Sequence, residues 1–532
     1  MLASKRLGLN RPLHDGSLLS RRGSVIVVAL TGIGIGGILA SRLLPEAAAR
    51  THGHHGNGTL QVTIHDDMNG PIPARLTFKP VGDTSRVFFT TIDIARQDVG
   101  AVSAYDRSFV LRGPAEIKIP AGTYDIWFSH GPEWDTSRER VTIKTGEEVE
   151  LVVKLHHIID TPGWLSGDFH VHAAPSLDSR VPMRDRVHQF VADGVDLIVS
   201  TDHNIISDYA PVIAELGVSD LLASTTGDEI TTKSWGHFGS FPLVGDESQL
   251  GHGAIETGSR TPRQIFADVR AKSNAALIDV HHPRLEHGHI GYFYLAKLDE
   301  KSGHAKRAGF SWDFDAIEVL NGYQDSDRKT LDQVIADWQS FLDSGKHVAA
   351  TGNSDSHHMT FNLGGYPRNY VRVDEGPLAK LDGATVAAAV KAGHSYLTTG
   401  PIIDVSIAGK GPGDLVTGKG GKVALHVVVR ASTWISLATV TVLGPGGAIL
   451  AKRTIPSATT PMRFDDTIPL DFAVDGYAIV RVDGDRPMAP NVGDQGSFLV
   501  YPFALANPIW VDVDGDGKIK PTAPYSFAEQ PE

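Results

Sequence analysis

Cysteine is absent from all 532 residues. Disulfides, thiolate zinc sites, a cysteine nucleophile and a lipoprotein-type anchor are therefore excluded together, and redox chemistry says nothing about compartment. Positive charge is scarce as well: 49 Lys and Arg face 62 Asp and Glu, for a net charge of −13. No nucleic-acid partner is expected, because such proteins normally present a basic face. No Gly-x-Ser-x-Gly elbow occurs, which removes the usual signal of a serine hydrolase. Long apolar runs are missing too, since the glycine-rich stretch from Val25 to Ala40 is short for a spanning helix.

What the chain does hold is histidine, 24 in all, and much of it sits beside Asp or Glu where an apolar run ends. The groups are Asp168-Phe169-His170-Val171-His172, Thr201-Asp202-His203-Asn204, Asp228-Glu229, Gly236-His237, His281-His282-Pro283 and Asn353-Ser354-Asp355-Ser356-His357. Imidazole and carboxylate are the usual ligands of Zn, Mn and Fe, and one carboxylate can bridge two ions. Alternate residues on a strand face the same way, so His170 and His172 can grip one ion together. Val195 to Val199, Ala276 to Val280 and His347 to Ala350 each precede such a group. They read as buried parallel strands that deliver ligands at their C-terminal ends, as a (β/α) barrel does. Each group alone also reads as a helix cap or loop anchor. Their recurrence within one segment points instead to a polynuclear metal site and to metal-assisted hydrolysis, with a metal-bound hydroxide as nucleophile.

The order His170-x-His172, Thr201-Asp202-His203, Glu229, His282-Pro283, Asp355-x-His357 resembles the PHP (polymerase and histidinol phosphatase) superfamily. With Glu229-Ile230-Thr231-Thr232, Gly236-His237-Phe238 and Gly352-Asn353-Ser354-Asp355, it is similar to the CehA/McbA branch, named for carbaryl hydrolases, over about residues 163 to 401. The resemblance implies a distorted (β/α)7 barrel with two or three divalent transition ions (Zn, Mn or Fe). Carried over, His170, His172, Glu229 and Asp355 would hold the first ion. Glu229 would bridge to a second, completed by His237 and His282. Asp178, His203 and His357 would hold a third. Glu229, Asp355 and His357 are thus the expected catalytic residues, with His281 supporting its neighbour His282.

Substrate class is read from the same region. Arg284 after His282-Pro283 and Arg368 in Tyr366-Pro367-Arg368 are expected at the barrel mouth, where guanidinium could clamp an oxyanion or equally pair with a carboxylate. Phosphoester hydrolysis is preferred, because equatorial phosphate oxygens can ligate cations. A carboxylic or carbamic ester of a small molecule is the alternative. A third reading is a non-catalytic surface or carbohydrate-binding protein built around a structural metal. It is disfavoured because a structural site usually closes four ligands on one ion, whereas nine candidates leave room for water.

The flanks differ in pattern. Basic residues from Lys5 to Arg22, the apolar stretch and Ala47-Ala48-Ala49 make residues 1–58 an expected export signal, or a membrane anchor, followed by a flexible linker. That places the protein outside the cytosol, periplasmic or extracellular, or tethered to a membrane. Short alternating strands between turns predict a β-sandwich over 59–162, ahead of the barrel at 163–400, and a second over 401–505. In the tail, 506–532, Asp512, Asp514 and Asp516 have the spacing of a calcium loop, but position twelve is Ala523 rather than Glu. Calcium and a plain acidic turn remain equal readings there. The fold class expected is α/β, a barrel between two β-sandwiches.

Overall fold

The computed structural model describes residues 56–523, apart from 83–88, 287–289, 300–303, 324–326, 375 and 494–497. The proposed signal or anchor lies outside the described residues. Among those described, no helix is long and apolar enough to cross a membrane. The chain is a mixed α/β protein in which strand exceeds helix.

The first nine strands are β1 (Asn57–His65), β2 (Ala74–Pro80), β3 (Arg96–Asp98), β4 (Ala101–Ala104), β5 (Arg107–Val110), β6 (Ala115–Pro120), β7 (Gly122–Ser129), β8 (Ser137–Ile143) and β9 (Glu148–Lys154). They form a three-stranded sheet, β6-β1-β9, and a six-stranded one, β3-β4-β5-β2-β7-β8. Alternation explains their packing: Leu60, Val62 and Ile64 of β1 point inward and meet Leu76, Phe78, Ile126 and Phe128 of the other sheet in one core. A fully buried ion pair, Arg75 to Asp193 at 2.9 Å, locks this sandwich to the end of helix α1 (Met183–Ala192).

The middle of the chain carries ten strands, most of them with buried residues on both faces. They are β10 (Trp164–Val171), β11 (Leu197–Ser200), β12 (Ala223–Thr226), β13 (Asp228–Thr231), β14 (His237–Phe241), β15 (Leu277–Val280), β16 (Ala316–Asn321), β17 (Ala349–Asn353), β18 (Arg368–Arg372) and β19 (Ser395–Thr398). One sheet begins β12-β11-β10-β18-β19, and a second runs β13-β14-β15-β16-β17. The pairings β10–β11, β11–β12, β15–β16 and β16–β17 are parallel as expected, but β14 and β18 run antiparallel to their neighbours. Single bridges join the two sheets, Val171 to Ser356 and His203 to Glu229. Phe169, Leu197, Phe241, Leu277, Ala316 and Ala349 from both sheets share one core cluster.

Helices form where their signals lie. Helix α2 (Pro262–Lys272) starts on a capping box, with Thr261 N–H donating to Gln264 at 3.0 Å and proline in the first turn. It turns Ile265, Phe266 and Val269 into the core. Helix α3 (Arg328–Asp343) is capped by Asp327, which accepts from Thr330 N–H at 3.1 Å, and Gly345 follows it at φ +82°.

Past residue 400 lie β20 (Ile402–Ile407), β21 (Leu415–Thr417), β22 (Lys422–Arg430), β23 (Thr439–Leu443), β24 (Ile449–Thr454), β25 (Met462–Asp471), β26 (Gly476–Asp483), β27 (Phe503–Ala506) and β28 (Ile509–Asp512). Only β20-β22-β25 stands as a separate sheet; β27, β26, β23 and β24 continue the central sheet beyond β19. The sheet thus runs across the expected boundary at 400. The expected tail also begins too early, since β28 pairs with β21 and β26 and buries Ile509, Trp510 and Val511. Asn507 ties the region to the middle strands, accepting from Ala350 N–H at 2.8 Å.

Candidate metal centre

All nine expected transition-metal ligands come together at one end of the two central sheets. His170 is the last residue but one of β10 with His172 just after the strand, His203 follows β11, His282 follows β15, and Asp355 and His357 follow β17. His237 reaches the same rim because β14 is antiparallel, so its first residue lies where its neighbours end. Glu229 sits at the centre. Its carboxylate lies 2.7 Å from His203, 3.0 Å from His170 and His281, 3.2 Å from His237, 3.4 Å from His282 and 3.5 Å from His172. Asp355 Oδ1 lies 3.2 Å from His170 Nε2, 3.3 Å from His172 Nε2 and 3.2 Å from His357 Nδ1. Asp178, half exposed at the rim, faces His203 at 3.1 Å and His357 at 3.3 Å.

These atoms resolve into four interlocking triads of ligand atoms close enough to share an ion. They are His170–His172–Asp355, His170–Glu229–His282, His203–Glu229–His237 and His172–His203–His357. The triads share members, which separate sites would not. The donor set fits cations on an independent observation: His170 Nε2, His172 Nε2 and Glu229 Oε2 are buried and, despite those close approaches, make no well-formed hydrogen bond. Such orphaned lone pairs cost about 1–3 kcal/mol each unless something binds them.

Electrostatics agree. Burial pushes the Glu229 carboxyl up, but the imidazoles, His237 foremost, hold it well below the usual carboxylate range. Asp355 is likewise held low against burial, first by His170. Burial drives His237 down to about 4 and His172 well below its ordinary value, leaving their lone pairs free. His357 rises to about 9, since Asp178 and Asp355 outweigh its burial. A cation would take over the countercharge that imidazolium supplies here.

Two ligands stand on left-handed backbone, His282 at φ +29° and Asp355 at φ +52°. Strain of that kind is tolerated where surrounding structure over-determines it, as at binding sites. Beside His282, His281 stacks on His170 at 3.6 Å between ring centroids and turns Nδ1 toward Glu229. Its Nε2 points at Gly239, where any Cβ would lie 2.1 Å away, so a residue without a side chain is required there. His282 presents Nε2 to Glu229 at 3.4 Å, whereas His281 offers it Nδ1 at 3.0 Å and turns Nε2 away. His281→Ala should accordingly slow turnover about 10- to 100-fold, less than His282→Ala; steady-state rates of the two variants check the order.

Glu318 is the functional residue that motif reading missed. It accepts from His282 N–H at 2.8 Å, lies 3.0 Å from His170 Nδ1, and takes Asn321 and Asn353 amides at 2.9 and 3.1 Å. It therefore orients His170 and ties three strand ends together. Its signal was an acid inside the apolar run Ala316-Ile317-Glu318-Val319-Leu320. Asp168 and Asp202 of the same motifs are anchors: Asp168 accepts from Ser354 and Gly365 N–H, Asp202 from Ala173 N–H and Ser176.

The two arginines expected to contact substrate are held elsewhere. Arg284 is buried in a two-pronged pair with Asp337, both bonds 2.7 Å, and also donates to Leu298 carbonyl. Arg368 is buried and donates to the carbonyls of Gly365, Gly194 and Asp193. Both brace loops rather than face the cluster. Arg284→Ala would leave the Asp337 charge uncompensated and should cost about 3–5 kcal/mol of stability. Thermal denaturation should show the drop, while the protein that remains folded keeps its metal content.

The calcium candidate is altered. Asp512 and Asp514 gather with Asp475, a residue not foreseen, while Asp516 turns to Lys520 at 3.1 Å. Lys520 also pairs with Asp514, and Asp512 accepts from Gly515 and Gly517 N–H at 2.6 and 2.9 Å. The acids are thus largely spent on the turn and its lysine.

No family model matches the sequence, and no curated protein matches it either. An engineered protein of known crystal structure shares 13% identity over 62% of this chain, at a TM-score of 0.15. The chain spans about half, 52%, of its length. The FMN-binding β-glucuronidase of Facaelibacterium prausnitzii L2-6 shares 10% identity over 86% of this chain and 74% of its own, again at 0.15. Scores so low carry no likeness of fold.

Proposed function

We propose that the protein is a metal-dependent hydrolase of small esters, a PHP-superfamily enzyme of the CehA/McbA type. The observation that carries this reading is the ring of six histidines within 3.5 Å of the Glu229 carboxylate, several with unsatisfied lone pairs. The two central sheets, bridged at Val171–Ser356 and His203–Glu229 around a shared apolar core, support its reading as a distorted seven-stranded barrel. Divalent ions in such a centre lower the pKa of water and neutralise charge developing on an ester's oxygens. His170, His172, Glu229, Asp355, His282 and His237 would hold them on the buried side, with His203, His357 and Asp178 on the open side.

The chain's own groups set the rest. Glu229 stays ionised at neutral pH and joins the neighbouring triads. Glu318 fixes the His170 ring, and Asn321 donates to Asp355 Oδ2 at 3.1 Å, leaving Oδ1 toward the imidazoles. The three ligand carboxylates and Glu318 balance two dications but not three, so a three-ion centre is net positive and suits an anionic phosphoester. A carboxylic or carbamic ester remains the second reading, favoured by the engagement of Arg284 and Arg368 within the protein. Export is proposed from the N-terminal sequence alone.

Elemental analysis joined to a panel of phosphomonoester, phosphodiester and aryl ester substrates tests the proposal. Two or three transition ions per chain and turnover lost on chelation are expected. Fewer than one tightly held ion with hydrolysis intact overturns it.

A further inference from the structure

The open side of the cluster carries aromatic rings that holding ions does not require. Tyr323, two residues past β16, is 37% exposed, and its ring centre lies 6.1 Å from that of His357. Phe498, from the C-terminal part of the chain, lies 6.3 Å from Tyr323 and 4.6 Å from Phe361. Phe361 and Phe498 are each only half-buried. Beside Asp178, Leu177 is 98% exposed. Several core aromatic residues, such as Tyr292, Phe266 and Trp338, are fully buried. These are not, so they present apolar surface to solvent next to a highly polar floor. Apolar walls around a few convergent polar groups are the usual form of a small-molecule site.

The arrangement is fastened from several sides. The loop carrying Phe361 is held by Met359 N–H donating to Ile92 carbonyl at 2.9 Å and by a hydrogen bond between His358 Nδ1 and Asp93. Both partners lie between β2 and β3 of the N-terminal sandwich. Asn362 donates to Ser354 carbonyl at 3.3 Å, tying the loop to the Asp355 turn. Both flanking regions therefore shape the mouth of the cluster.

We infer that Tyr323, Phe361 and Phe498 form a specificity wall that holds an apolar, ring-sized group of the substrate beside the His357 side of the metal cluster. The inference rests on the hydrolase reading and adds what that reading lacks, a basis for choosing among esters. A flat group gains both area and edge-to-face contacts from rings tilted as these are, Phe498 at 70° to Tyr323 and 50° to Phe361, where a methyl group gains little.

Calorimetric titration of the full-length, ion-loaded protein with phenylphosphonate and methylphosphonate tests it without turnover. Phenylphosphonate should bind about 10-fold more tightly. In Phe498→Ala and Phe361→Ala the ratio of the two affinities should fall toward one. Phe498→Leu keeps apolar volume without the ring and guards against loss of folding; it should give an intermediate ratio. Equal affinities in the wild type, or a preference that survives all three substitutions, overturn the wall alone. Binding of neither phosphonate to ion-loaded protein overturns the phosphoester reading and the wall with it.

Discussion

Glu229→Gln should strip bound metal and lower turnover by at least about 10³-fold, because metal activation of water supplies much of the barrier reduction. The substitution is nearly isosteric, so the packing of a residue with no solvent exposure is kept. What changes is charge. Six imidazoles would then face a neutral amide, and no group could bridge the triads that Glu229 joins. The core of the N-terminal sandwich is separate from the centre, so the variant should retain its strand signal in far-UV circular dichroism. Elemental analysis alongside rates decides it: wild-type metal content with wild-type turnover would remove the bridging role.

Asp355→Asn and His357→Ala should each abolish most activity, but by loss of different ions. Asp355 stands at φ +52°, a conformation that Asn accepts as readily as Asp, so the first substitution isolates the charge from the backbone. It removes the carboxylate from the buried His170–His172–Asp355 triad, and a tightly held ion should be lost. His357→Ala opens the rim beside Asp178 and His203, and the ion lost there should be one that dialysis also removes. Both should lower kcat by several orders of magnitude, and ion content per chain distinguishes them. Unchanged kcat in both variants would take the cluster out of the mechanism.

The ligand set was legible in the sequence because ligand chemistry is local. A His-x-His on a strand shares one face whatever lies around it, and Asp355-x-His357 follows its apolar run in the same way. Parallel delivery was legible for β11, β15 and β17, whose apolar runs precede ligand groups. It was not legible for β14: His-Phe-Gly-Ser-Phe has no direction of its own, and its antiparallel course comes from the short turn after β13. Glu318 was missed because an acid inside a buried strand is recognisable as a partner only once His170 and the His282 amide are seen beside it.

Arg284 and Arg368 show the limit most clearly. A guanidinium after a ligand motif reads alike whether it faces substrate or protein, and its partners lie far along the chain. Asp337 is 53 residues from Arg284, and Asp193 is 175 from Arg368. The same holds for the wall of Tyr323, Phe361 and Phe498, and for the sheet that crosses residue 400 through β19 and β27. By itself the sequence determined which side chains could bind cations, which runs would become strands, and where helices begin and end, since each follows from residue type and short-range periodicity. Only the tertiary structure decided which ligands interlock, which charges are already neutralised and which rings stay exposed, because those depend on long-range packing that brings distant segments to within a few ångströms of one another.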